Sequence, residues 1–237
     1  MALPSFALFS FTSARIVSTV IMAAAICVPA HSATFSPTSG TKPSKNTLYY
    51  RVTGTIAVGD TDRFQAILNE KKVEIGKTNV WLLLDARGGD LEEAFRLGRL
   101  LRRYNAYTSH GQCVGSCVYA FMGGKIRHYT PAMPHPEMSP SPADMTGLWV
   151  YEPYVMEKVL PLAATNTKIA QALKNVKDYT VEMTGKTAFY DSVTKIPHTK
   201  PIRMSRNNVF DMNVSSLTAS DGKTKQAMPV GQKPPPW

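Results

Sequence analysis

Residues Trp81–Tyr129 read WLLLDARGGDLEEAFRLGRLLRRYNAYTSHGQCVGSCVYAFMGGKIRHY. The apolar run Trp81–Leu84 meets Asp85-Ala86-Arg87-Gly88-Gly89-Asp90, and a helical pattern follows. A second extended piece, Ala106–Ser109, leads into Gly111-Gln112-Cys113-Val114-Gly115-Ser116-Cys117. The helical run after it stops at Gly123-Gly124. Two consecutive strand–turn–helix units, each with a turn of small residues, are a means of building an anion-stabilising site from backbone N–H groups at helix starts. The pattern therefore predicts an α/β protein organised around these two turns.

The flanking sequence supplies the rest of such a domain. Thr47–Val58 is β-branched and aromatic and reads as a strand bent at Gly54. Asp60 or Thr61 can cap a helix over Arg63–Glu70, with Phe64, Ile67 and Leu68 on one face. Gly76–Asn79 is a turn, and Val80–Leu84 is apolar enough to be a parallel strand covered on both faces. Asp90 should cap a helix over Leu91–Tyr104 that buries Leu91, Ala94, Phe95, Gly98 and Leu101 and turns Arg96, Arg99, Arg102 and Arg103 mainly to solvent. Cys117–Met122 predicts a buried helix and Lys125–Tyr129 a short strand.

The proline-rich segment Thr130–Pro142 predicts an irregular loop. Helical patterns follow at Thr146–Leu160 and Asn166–Met183, the second closed by Gly185. Phe189–Val193 reads as a short helix, Ile202–Met204 as a strand, and Ser205–Asp211 as a last helical turn.

Composition bounds the context. The chain has 237 residues, 43% of them hydrophobic, and a formal net charge of +10, which suits one globular domain with tails. Its basic residues are scattered and carry no basic–aromatic motif, so nucleic-acid binding is not expected. Ile16–Ala30 is an apolar run behind Arg15, ending in Cys27-Val28-Pro29-Ala30-His31-Ser32-Ala33. That is short for a membrane span and right for the core of a secretory leader, cut after Ser32 or Ala33. The alternative is an uncleaved N-terminal anchor. The expected organisation is a signal peptide over 1–33, a linker over 34–46, a domain over 47–214 and a disordered tail over 215–237. The expected location is periplasmic or secreted, in a bacterium.

Export would leave two cysteines, Cys113 and Cys117. An oxidising compartment favours a disulfide, which can close if Cys113 lies in the turn and Cys117 in the first helical turn. The rival is zinc, with His110 and His128 nearby, but His-x2-Cys-x3-Cys matches no strong zinc spacing. No metal and no cofactor is expected.

The order of these parts resembles the ClpP/crotonase superfamily, and within it the exported bacterial proteins in which a small-residue turn is flanked by two cysteines. The resemblance runs from about Leu48 to Val214 and includes the closing pieces YTVEMTGKTAFYDSVTK and IRMSRNNVFDMNV. It implies a single-domain α/β spiral of repeated β-β-α units. It also implies a peptide or protein substrate or partner and homo-oligomeric assembly, with no ring size chosen.

In the serine peptidases of this superfamily a Ser at the start of the buried helix is the nucleophile. The Gly-Gly turn and the residue after the nucleophile supply oxyanion donors, a His follows in a loop, and an Asp lies near the C-terminal strand. Carried across, Gly88 and Gly89 fall on the oxyanion turn, and Cys113 and Cys117 fix the register. That register puts Gly115 at the nucleophile position and Ser116 one residue late, turned by about 100° on a helix of 3.6 residues per turn. His135 lies in the right loop, a few residues early. No carboxylate stands near Lys200-Pro201, where the Asp is expected, which leaves Asp85, Asp144 and Asp211 as substitutes. Two functions stay open: a serine hydrolase using Ser116 and His135, or a catalytically inactive relative that binds a peptide or partner. A Cys113 or Cys117 nucleophile competes with the disulfide.

Overall fold

The computed structural model describes residues 32–38, 46–129, 147–151, 162–197, 199–204, 215–220 and 223–227. His135, Asp144 and Asp211 lie outside them, as do the leader up to His31, the loop Thr130–Pro142 and the helical turn Ser205–Asp211.

The protein is a mixed α/β structure built on a branched sheet. Strand β2 (Thr47–Ile56) lies parallel to the long strand β3 (Asn79–Gly89), with a register shift between Gly54 and Ile56, where a bend was expected. On its other side β3 changes partner. Trp81–Leu84 pair with β4 (Tyr107–His110), whereas Arg87 pairs with β5 (Gln112–Val114). Two branches therefore leave β3. One continues through β6 (Ile126–Tyr129) to β9 (Ser215–Ser220) and β10 (Lys223–Ala227); the other continues through β7 (Gly147–Val150) to β8 (Ile202–Arg203).

The helices follow from local sequence and from one close approach. In α1 (Asp60–Glu70) Phe64 and Leu68 are buried. In α2 (Leu91–Arg103) the Asp90 side chain accepts the Glu93 N–H at 2.8 Å, the N-cap expected from the sequence. Every residue of α3 (Ser116–Met122) is buried. It crosses α2 so closely that a Cβ on Gly123 would run into the Gly98 backbone. Tyr179, from α4 (Leu162–Thr184), packs over Gly98 and donates its hydroxyl to the Tyr119 carbonyl at 2.7 Å, joining the three helices. Helix α5 (Ala188–Val193) closes the core with Phe189 and Val193.

The structure departs from the sequence reading in five places. Thr34–Pro37, read as linker, is strand β1, antiparallel to β2, and Phe35 stacks on Phe64 at 4.9 Å between ring centroids. Ser215–Ser220 and Lys223–Ala227, read as a disordered tail, are the β9–β10 hairpin. Gly147–Val150, read as the start of a helix, is β7, because β5 offers Gln112–Val114 as a parallel partner. Strand β3 is covered fully on one face only. Val80, Leu82, Leu84 and Ala86 are buried, while Trp81 and Leu83 are half-buried and Trp81 stacks on Tyr107 at 4.5 Å and on His128 at 4.9 Å.

The fifth departure is Arg102, which does not turn to solvent. It donates to the carbonyls of Gly123, Met122 and Met183, and Arg127 also donates to Met122 and Met183. The two guanidinium groups thus serve the C-terminal ends of α3 and α4, where orphan carbonyls and the negative dipole end favour cations. Burial, and then the neighbouring Arg102, pull Arg127 down to about 9.

Candidate functional site

The site lies where the branches separate. Arg87 pairs with Val114, so the turn after β3 and the turn after β5 emerge side by side. Crevices at the carboxyl ends of sheet strands, where connections diverge, are the usual ligand sites of open α/β sheets. The first turn is fixed by β2. Gly88 and Gly89 have φ of 64° and 115°, the Asp90 N–H donates to the Ile56 carbonyl at 2.8 Å, and a Cβ on Gly89 would lie 2.7 Å from the Ile56 nitrogen. No other residue type can bring the backbone this close.

The second turn is an elbow. Strand β5 ends at Val114, helix α3 begins at Ser116, and Gly115 between them has φ 59° and ψ −120°. A sharp strand-to-helix turn with its apex residue in a strained conformation is how α/β-hydrolases expose a nucleophile. Here the apex carries no side chain. The elbow is nevertheless held from three directions. The Gly115 N–H donates to Trp149 of β7 at 2.9 Å, its carbonyl accepts from Val118 at 3.0 Å, and Cys113 and Cys117 form a disulfide across it, with Cα atoms 5.3 Å apart.

The disulfide expected from the sequence is thus present. Among the described residues no group of three or more His, Cys, Asp and Glu is placed to hold a metal ion.

Tyr151 occupies the space above the elbow. Trp149 is hydrogen-bonded to Gly115, so Tyr151, two residues further on, overhangs it. A Cβ on Gly115 would lie 2.7 Å from Tyr151 Cζ and closer still to the hydroxyl, and a Cβ on Gly88 would lie 3.7 Å from the same hydroxyl. The phenol therefore sits between the two glycine turns, in the volume a side chain on the elbow would need. Sequence reasoning missed Tyr151. It is 36 positions from Gly115 in the chain, and only the β5–β7 pairing brings it there.

The other candidates fall as follows. Ser116 opens α3, only 7% exposed, and its Oγ has no hydrogen-bond partner among the described residues. Asp85, a candidate triad acid, is committed to structure. It pairs with Arg51, and its Oδ1 accepts the Gln112 N–H at 2.9 Å, tying the start of β5 to β3. His128, the other histidine near the cysteines, is buried on β6 between β4 and β9. Burial lowers its pKa, and neither ring nitrogen has a partner among the described residues. His110 is buried with Nδ1 3.1 Å from the Gly111 carbonyl. Burial, and then Arg203, bring it down to about 4, so its imidazole is neutral at physiological pH.

Comparison with known proteins gives one kind of match. No family model and no curated protein matches the chain. Among solved structures, a ClpP1 mutant from Listeria monocytogenes is similar at 14% identity, over 75% of this chain and 94% of that one, with a TM-score of 0.49.

Proposed function

We propose that this protein is an exported member of the ClpP/crotonase-like group whose hydrolase site has lost its nucleophile, and that it binds a peptide or protein partner where the two glycine turns meet. One observation carries the reading: the elbow apex is Gly115, and Tyr151 fills the place of the missing side chain. The alternation β2-α1-β3-α2-β4-β5-α3-β6 is that of a mixed α/β domain and supports the reading at the level of fold class. What remains at the turns is backbone donors at the start of α3 and along Gly88-Gly89, which can hold a carbonyl or carboxylate without chemistry. The Cys113–Cys117 bridge and the leader-like residues 1–33 support export.

One feature favours the alternative, a serine hydrolase acting through Ser116 and His135. Ser116 Oγ is buried beside the elbow with no partner among the described residues, and such atoms usually have a reason. A fluorophosphonate probe separates the two. The binding reading expects the purified protein to stay unlabelled. Labelling that disappears in Ser116→Ala would overturn it in favour of the hydrolase.

A further inference from the structure

Ala33 is built into the domain. It is fully buried, its N–H donates to Asp60 Oδ2 at 3.0 Å, and its carbonyl accepts from Arg63 Nη2 at 2.8 Å. Asp60 is itself fully buried in the first turn of α1. Its Oδ2 also takes the Ala57 N–H at 2.9 Å, and its Oδ1 pairs with Arg63, whose side chain is 44% exposed. Strand β1 starts at the next residue, Thr34. A cut after Ala33 would remove a core residue together with both of its hydrogen bonds. A cut after Ser32 keeps them. It also leaves small residues, Ala30 and Ser32, at the third and first positions before the cut, the pattern a leader peptidase reads.

We propose that the chain is processed between Ser32 and Ala33, and that the new α-ammonium of Ala33 forms a buried ion pair with Asp60. Hydrolysis breaks the Ser32–Ala33 peptide bond. Water supplies the hydroxyl of the Ser32 carboxyl group and a proton to the Ala33 nitrogen, which is further protonated at neutral pH. The amide that now donates to Asp60 becomes a charged donor at the same place. A buried carboxylate is costly unless paired and hydrogen-bonded, and a charge-assisted bond is roughly twice as strong as a neutral one. Arg63 keeps part of its charge in water, so Asp60 gains a second, buried counterion. The cut precedes folding, so the burial of Ala33 does not obstruct it. The inference rests on the export reading and not on the fate of the elbow.

Intact-mass analysis of the full chain, exported from a bacterial host, should give a protein beginning at Ala33. A retained leader would overturn both export and this inference; a start at His31 or Thr34 would overturn this inference alone. In a second full-chain variant, one Gly is inserted between Ser32 and Ala33, so that processing leaves the ammonium one residue away from Asp60. Its Tm should fall by about 2–4 °C, and the same insertion in an Asp60→Asn background should cost almost nothing. Equal Tm values with and without the insertion would overturn the ion pair.

Discussion

Gly115→Ser tests the geometry of the elbow directly. The added Cβ would lie 2.7 Å from Tyr151 Cζ and 3.3 Å from Cε1, nearer still to the hydroxyl, on a residue with φ 59°. Two costs add. A side chain forced into that conformation costs about 1–3 kcal/mol, and overpacking against a half-buried ring costs about 1–3 kcal/mol more. The single variant should therefore lose about 2–6 kcal/mol. In a Tyr151→Ala background the second cost disappears and only the backbone strain remains. Urea denaturation of the four proteins, with the slope held constant, gives the coupling from a double-mutant cycle. The expected coupling is about 1–3 kcal/mol, in the sense that Tyr151→Ala relieves Gly115→Ser. A coupling below about 0.5 kcal/mol, the usual scatter for independent sites, would refute the placement of the phenol over the elbow.

Other expectations follow from single contacts. His110 is buried and held neutral, with its pKa brought from 6.5 to about 4. The unfolded chain thus takes up this proton first, and the stability present above pH 6.5 drains away as pH falls toward 4, by up to about 3 kcal/mol. Urea midpoints at pH 7.5 and 4.5 should differ less in His110→Gln than in the parent, and an unchanged difference would contradict the burial of this imidazole. A thiol count on the oxidised protein should find neither Cys113 nor Cys117 free, and reduction should cost about 2 kcal/mol, as expected for so short a closed loop; two reactive thiols before reduction would disprove the bridge. Gly123→Ala should cost about 3 kcal/mol, because its Cβ has only the Gly98 backbone to meet. Gly76→Ala, which replaces a glycine at φ 80° but meets nothing within 4 Å, should lose only about 1 kcal/mol, and equal losses in calorimetry would argue against the close crossing of α2 and α3.

What could be read in the sequence was what neighbours along the chain decide. Asp90 before Leu91, with the Glu93 N–H within reach, is a local cap. The all-apolar run Cys117–Met122 has no polar face to show to water. Gly54 interrupts a β-branched run and marks the bend. What escaped was decided across the fold. Four residues, Gly147–Val150, cannot distinguish a strand period from a helical one, and the free edge of β5 settles the matter. Helical periodicity places Arg102 on the polar side of α2, but that side meets the carbonyl ends of α3 and α4, so a half-buried charged residue is held there by hydrogen bonds rather than by full exposure. Thr34–Pro37 has a linker's composition, yet Phe35 finds Phe64, and one stacked ring pair with a free β2 edge is enough to make a strand.

The site divides in the same way, and the division bears on function. Counting from the cysteines put Gly115 at the apex, and its backbone stands at φ 59°, where glycine pays nothing and serine pays strain. A glycine apex by itself therefore needs little restraint. Yet the elbow keeps all of it: the bridge across it, the bond to Trp149, and the Asp85 contact that holds the strand leading into it, β5, to β3. Restraint on that scale has no use for positioning a side chain that is absent. It does fix the direction of the backbone N–H groups on either side, and a rigid array of donors is what holding a peptide carbonyl requires, since donors ordered in advance lose little entropy on binding. On the binding reading proposed above, a restrained frame around a glycine apex suits recognition over turnover, and Tyr151 is the group that a bound chain would have to contact or displace.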